Sequence, residues 1–188
     1  MQASTTLAPG TWVIDPSHTT ISFAARHLMA ARVRGSFKSF SGQITVGDSP
    51  ETSSSEVTID ASSIDTGVED RDNHLRSADF LDVENHSDLT FQSTKVTSTG
   101  EQTMTIEGDL TIRGVTHPVS LAATFFGVTT DPWGNDKAMF SATTSIDREV
   151  WGLTWNQALE TGGWLVGKKV EIEIELQAMR VEDDADNG

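Results

Sequence analysis

The chain has 188 residues, a length that one hydrophobic core can serve, and its 13 Lys and Arg against 28 Asp and Glu give a net charge of −15. A surface this acidic repels phosphate backbones and anionic membranes, which argues against a nucleic-acid partner. With no cysteine, disulfides, thiolate nucleophiles and Cys-ligated zinc are all excluded.

The opening MQASTTLAPGTW has no basic start followed by an apolar core, so it does not read as a secretory signal, and no run is long enough to span a bilayer. A cytoplasmic location is expected, or a secreted one if a leader precedes this chain. Residues 1–9 are expected to fray. Strands with period-two alternation then follow. They begin with Gly10 to Ile14, TTISFAARH (Ile21, Phe23, Ala25 on one face), FSGQITV (Phe40, Gly42, Ile44, Val46) and EVTID (Val57, Ile59).

The alternation breaks at RDNHLRSADFLDVENH, residues 71–86. Thr66 and Glu69 stand at capping-box spacing, which predicts a helix from Gly67 to about Ala78. On that helix Val68, Leu75 and Ala78 share a face with Arg71, His74 lies at its edge, and Asp72 and Arg76 are placed to pair on the flank. An arginine aimed at an apolar interior needs an anion there, because burying it unpaired costs several kcal/mol. Either a carboxylate of the protein or the head of a ligand could serve.

Alternation resumes in DLTFQS (Leu89, Phe91), TMTIEGDLTIRG, HPVSLAATFFGV, AMFSATTSI (Phe140, Ala142) and KKVEIEIELQAM, where Val170, Ile172, Ile174, Leu176 and Ala178 oppose a row of charged residues. Turn signals at 98–101, 113–114 and 131–135 separate them. About nine strands joined by short turns predict an all-β fold, an antiparallel sheet curled into a barrel or two packed sheets, occupying residues 10–180 as one domain. The acidic end, 181–188, is expected to be a tail.

Chemistry-bearing motifs are sparse. The five histidines are dispersed, with no metal-ligand spacing, no phosphate loop and no nucleophile elbow, so no metal or cofactor is expected. The small inward residues Ala25, Gly42, Gly108, Ala123, Ala142 and Ala178 allow a hollow centre, or one that neighbouring Phe and Trp fill. Trp151, Trp155 and Trp164 cluster in sequence and could serve a homodimer interface or the core.

Six segments in order, DPSHTTISFAARH, VRGSFKSFSGQI, SIDTGVEDRDNHLRSADFLDVENHSDLTF, DLTIRGVTHPVSL, SIDREVWGL and VGKKVEIEIELQA, resemble the YceI-like family of lipid-binding and polyisoprenoid-binding proteins over roughly residues 10–179. The resemblance implies an extended antiparallel, lipocalin-like barrel with one short helix closing part of it. It also implies a long-chain isoprenoid, quinone-type molecule, fatty amide or other amphiphilic lipid held inside, bound for sequestration or transport without catalysis. Carried over by position, Phe23, His27, Phe37 and Phe40 would line the barrel, with the inward Phe91 and Phe140. Arg71, His74, Leu75 and Phe80 would sit near a polar mouth. The alternative is an enzyme acting on an isoprenoid-type ligand with His27 or His74 as proton carrier. Departures from the family pattern are the missing secretion signal, His86-Ser87 in place of an aromatic and a proline, and His117 in place of a lysine before Pro118.

Overall fold

Each alternating segment becomes a strand of one antiparallel sheet in the computed structural model, which describes residues 6–181. The strands are β1 (Gly10–Ile14), β2 (Thr20–His27), β3 (Ala31–Phe37), β4 (Phe40–Val46), β5 (Ser54–Asp60), β6 (Ile64–Asp65), β7 (Asp88–Ser98), β8 (Thr103–Ile112), β9 (Val115–Thr130), β10 (Asp136–Asp147) and β11 (Val166–Arg180). Among the described residues one α-helix, α1 (Glu69–Arg76), and three short 3-10 turns interrupt them. The order β1-β4-β5-β7-β8-β9-β10-β11 returns to β1, so eight strands close a barrel with no free edge. The long β11 makes the closure possible. Its Ala178–Arg180 end pairs with β1, while its Val166–Glu175 part pairs with β2, from which β3 and β6 branch.

Two of these strands lie outside the nine expected. In β3 the alternation is masked by Gly35, which stands directly opposite Phe23. A Cβ on Gly35 would collide with the Phe23 ring and the Thr66 methyl group, so the cross-strand aromatic supplies the apolar surface that β3 itself lacks. The two-residue β6 is too short to show a period.

A buried ionic cluster ties down the seam. Asp15, directly after β1, is buried and accepts hydrogen bonds from Lys137 Nζ on β10 (2.9 Å), from His18 Nδ1 (2.9 Å) and from the Ser17 amide (3.0 Å). Burial pushes the Asp15 carboxyl up, but the Lys137, His18 and Ser17 donors outweigh it and lower the pKa to about 2.

Part of the N-terminal stretch expected to fray is packed. Leu7 and Ala8 lie against the cluster of Trp12, Val46, Phe125, Ala138 and Ala178, and the Trp12 indole donates to the Ala8 carbonyl at 3.0 Å. Burying Trp12 requires a partner for its N–H, and residues 6–9 provide it. The rest of that stretch, residues 1–5, and all but Val181 of the acidic tail lie outside the described residues.

The helix differs from its expected form. It spans Glu69–Arg76 rather than 67–78, and Val68 occupies the N-cap without a side-chain bond, so the Thr66–Glu69 capping box does not form. Asp72 faces inward instead of Val68, which is 48% exposed, and its carboxylate accepts from the Thr66 amide (2.8 Å) and hydroxyl (2.6 Å). Asp72 and Arg76 do not pair. Arg76 donates to the Ser62 and Ile64 carbonyls, and Arg71 to the Thr66 hydroxyl (2.7 Å) and carbonyl (2.9 Å). The reason lies in β6, which pairs only with β3. The chain around its outer edge carries carbonyls that need donors, Ser62 before the strand, Ile64 on it and Thr66 after it, and the two arginines of α1 satisfy them.

A candidate ligand-binding tunnel

Inward-facing side chains leave two adjoining spaces along the barrel axis. The outer cavity, about 350 Å³, and the inner cavity, about 240 Å³, share a collar of Ile14, Val57, Phe91, Leu121, Ile174 and Leu176, so they lie end to end as the two sections of a tunnel that meet at this collar. The small inward residues divide between the two roles that the sequence left open. Ala25, Ala123 and Ala142 line the tunnel. Gly108 is covered by the Phe91 ring, Gly42 packs under Ile14, and Ala178 is fully buried beside Trp12.

The two ends differ in chemistry. No exposed residue lines the inner cavity, and its wall is almost entirely aliphatic and aromatic. Leu75 of α1 and Phe80 and Leu81 after it close that end, with Trp155 stacked outside against Phe80 (5.4 Å) and His74 (4.5 Å). The outer cavity opens at the far end of the barrel. There Asp48, Ser54, Ser98, Glu101 and Thr103 are exposed on the β4–β5 connection, at the start of β5 and around the β7–β8 turn. Asp48 and Glu101 are the carboxylates of the rim, and among the described residues no Lys or Arg lines the outer cavity.

Among the residues expected at the site, Phe23, Phe37, Leu75 and Phe80 line the inner cavity, Phe140 the outer one, and Phe91 both. Phe40 packs against the core cluster near α1 without lining either space. His27 lies beyond the closed end, where β2 turns into β3, and does not line the tunnel. Arg71 and His74 do not line it either. Arg71 is engaged by Thr66, and His74 bonds Asp79 at 2.9 Å and packs edge-on to Trp155. The helix therefore plugs the apolar end, and the polar mouth is at the opposite end of the barrel. Of the expected dimer residues, Trp151 is buried, its indole donating to the Leu110 carbonyl at 2.9 Å, while Trp164 is exposed.

Arg148 is a tunnel residue that escaped the sequence reading. Only 4% exposed, it lines the inner cavity and donates to the carbonyls of Gly167, Leu153, Trp155 and Val166. Burial pulls its guanidinium pKa down, partly offset by Glu149 and Asp147. Its nitrogens are turned into the backbone, so it pins the 153–155 segment to the start of β11, and its face covers Phe80 at 5.9 Å. The signal available was its place in SIDREVWGL beside an apolar run. Among the described residues no three His, Asp or Glu side chains gather into a metal-binding cluster, and no helix is long and apolar enough to cross a membrane.

The sequence pattern of the YceI-like domain matches residues 12–178. A UPF0312 protein of Ectopseudomonas mendocina is 44% identical over 138 residues, covering 73% of this chain and 72% of that protein. The crystal structure of the Campylobacter jejuni YCEI protein superposes with a TM-score of 0.72 at 30% identity, covering 84% of this chain and 90% of that one. A polyisoprenoid binding domain from Saccharophagus degradans, implicated in plant cell wall breakdown, shares the fold with a TM-score of 0.69 at 14% identity, covering 90% of this chain and 98% of that one. The barrel, its single helix and the match across nearly all its strands show that this chain belongs to the YceI-like domain family.

Proposed function

We propose that the protein binds the long apolar tail of an amphiphile, an isoprenoid, quinone-type molecule or fatty amide, and sequesters or carries it without chemical change. The observation that carries this reading is the tunnel, whose inner section is lined by no exposed residue and contains almost no polar surface. Moving apolar area from water into such a space contributes roughly 25 cal/mol per Å², enough for binding without a specific polar contact. The relative described as a polyisoprenoid binding domain supports the same ligand class.

The enzymatic alternative finds little support in the geometry, because His27 and His74 both lie outside the tunnel. Organic extraction of the purified protein, followed by mass spectrometry, tests both readings. A carrier returns its lipid unchanged after incubation. Conversion of that lipid with turnover, abolished by His27→Ala or His74→Ala, would establish the alternative. Failure to take up any long-chain lipid, either in the cell or on addition, would refute both.

A further inference from the structure

The mouth of the tunnel differs from its closed end in a way that bears on the ligand's head group. Resting on the tunnel reading, we infer that the ligand enters tail first toward α1, leaving its head at the rim formed by the β4–β5 connection and the β7–β8 turn. This rim selects a neutral hydroxyl or amide, or a cationic amine, over a phosphate or diphosphate.

Three observations converge. First, the polar groups lining the inner cavity are already committed, the Thr19, Ser22 and Thr144 hydroxyls each donating to a backbone carbonyl. The one charge lining the inner cavity, Arg148, already spends its nitrogens on four backbone carbonyls, and Arg71 is engaged outside the tunnel by Thr66. A polar head placed there would lose its water without gaining a partner, which costs several kcal/mol. Second, the open end offers hydrogen-bonding groups at the depth where the wall changes character. Ser55 lies on the same face of β5 as the tunnel-lining Val57, and the Ser54 and Ser55 hydroxyls make no bond among the described residues. Third, among the described residues the charged side chains lining that opening are Asp48 and Glu101, both exposed and both acidic. Nearby Glu51 accepts from the Ser98 amide at 3.4 Å, and bonds to backbone amides and Ser49 lower its pKa, so a third carboxylate stands beside the opening. A phosphate held there meets like charge with no basic side chain to offset it, whereas an amine gains and an alcohol is indifferent.

The test uses four ligands with one fifteen-carbon isoprenoid tail, carrying no head, a hydroxyl, a primary amine or a diphosphate. Each is titrated by displacement of a fluorescent lipid at low and at high salt. For the native protein the amine is expected to bind at least about tenfold more tightly than the diphosphate at low salt, with the alcohol between them and the ratio shrinking as salt rises. Asp48→Lys with Glu101→Lys should reverse the amine and diphosphate order and leave the alcohol within about twofold. Arg71→Leu should change no head-group ratio. Equal binding of diphosphate and amine at low salt, or a ratio that responds to Arg71→Leu and ignores the rim variant, would overturn the inference while leaving the tunnel intact. If the headless hydrocarbon and the alcohol also fail to bind, the tunnel reading falls and this inference with it.

Discussion

Tail length should be read by the tunnel as by a ruler, and the register of β11 supplies its scale. Leu176, Ile174, Ile172, Val170 and Val166 line it in turn from the outer cavity to the closed end. The ten-residue step from Leu176 to Val166 corresponds to roughly 33 Å of strand, or about 25 Å along a barrel axis tilted by roughly 40° from the strands. An extended alkyl chain advances about 1.25 Å per carbon when C–C bonds are about 1.5 Å, so the space takes a tail of about 20 carbons. Up to that length each added methylene should contribute about 0.8 kcal/mol, or about fourfold in Kd, and beyond it the gain should vanish. Two substitutions move the break. Ala142 pairs with Ile174, so Ala142→Trp should halt tails after about 4 carbons past the Leu176 level. Ala25 pairs with Val170, so Ala25→Trp should leave room for about 12. The assay is Kd by fluorescence displacement for straight-chain alcohols of graded length delivered from cyclodextrin, with circular dichroism to confirm that both variants fold. A Kd independent of tail length would refute hydrophobic filling of the tunnel. A shorter ruler in Ala25→Trp than in Ala142→Trp would show that tails enter from the α1 end.

Three further outcomes concern stability. The Asp15 carboxyl is held below its usual value in the folded state, so its contribution is present above about pH 4 and is lost as pH falls toward 2. With a folded pKa of about 2, Asp15→Asn should cost on the order of 2 kcal/mol at pH 7 in urea unfolding, and the gap should close near pH 2. A gap equal at both pH values would remove Asp15 as the titrating group. Arg148→Met should destabilise by at least about 3 kcal/mol, because carbonyls of the 153–155 and 166–167 segments are left unsatisfied, and Arg148→Lys should rescue little of it since an ammonium cannot reproduce the fork. Thermal melting with and without lipid checks this, and near-native stability of either variant would contradict the bracing role. Leu28 and Met29 adopt left-handed backbone (φ 50° and 64°) at the exposed turn after β2, so Leu28→Asn with Met29→Gly should stabilise by about 1–2 kcal/mol, and a lower urea midpoint would show that their side chains matter more than the strain.

Local sequence determined nine of the eleven strands and which of their faces looks inward. In β11, Val170 to Ala178 alternate with charged residues, and only an extended chain puts those apolar side chains together, so the strand was legible without any neighbour. The turns were legible for the same reason: Arg113 and Gly114 both take positive φ in the two-residue β8–β9 link, a conformation that glycine tolerates best. The family was legible because six such segments kept their order. What local pattern could not supply was orientation about a contact. Helical spacing put Arg71 on the face of Leu75, but it could not say which arc would face the barrel: Leu75 lines the inner cavity, and Arg71 is turned onto Thr66. The unpaired edge of β6 and the residue after it decided that, by drawing Arg76 onto the Ile64 carbonyl and Arg71 and Asp72 onto Thr66. Gly108 could be read as a hollow from sequence, but the Phe91 ring lies over it from the adjacent strand. Arg148 became a core residue only because carbonyls from two segments converge on it. The mouth was the least legible, since Asp48, Ser55 and Glu101 come from separate connections that share no spacing. Barrel closure alone brings them to one rim, opposite the helix that plugs the other end.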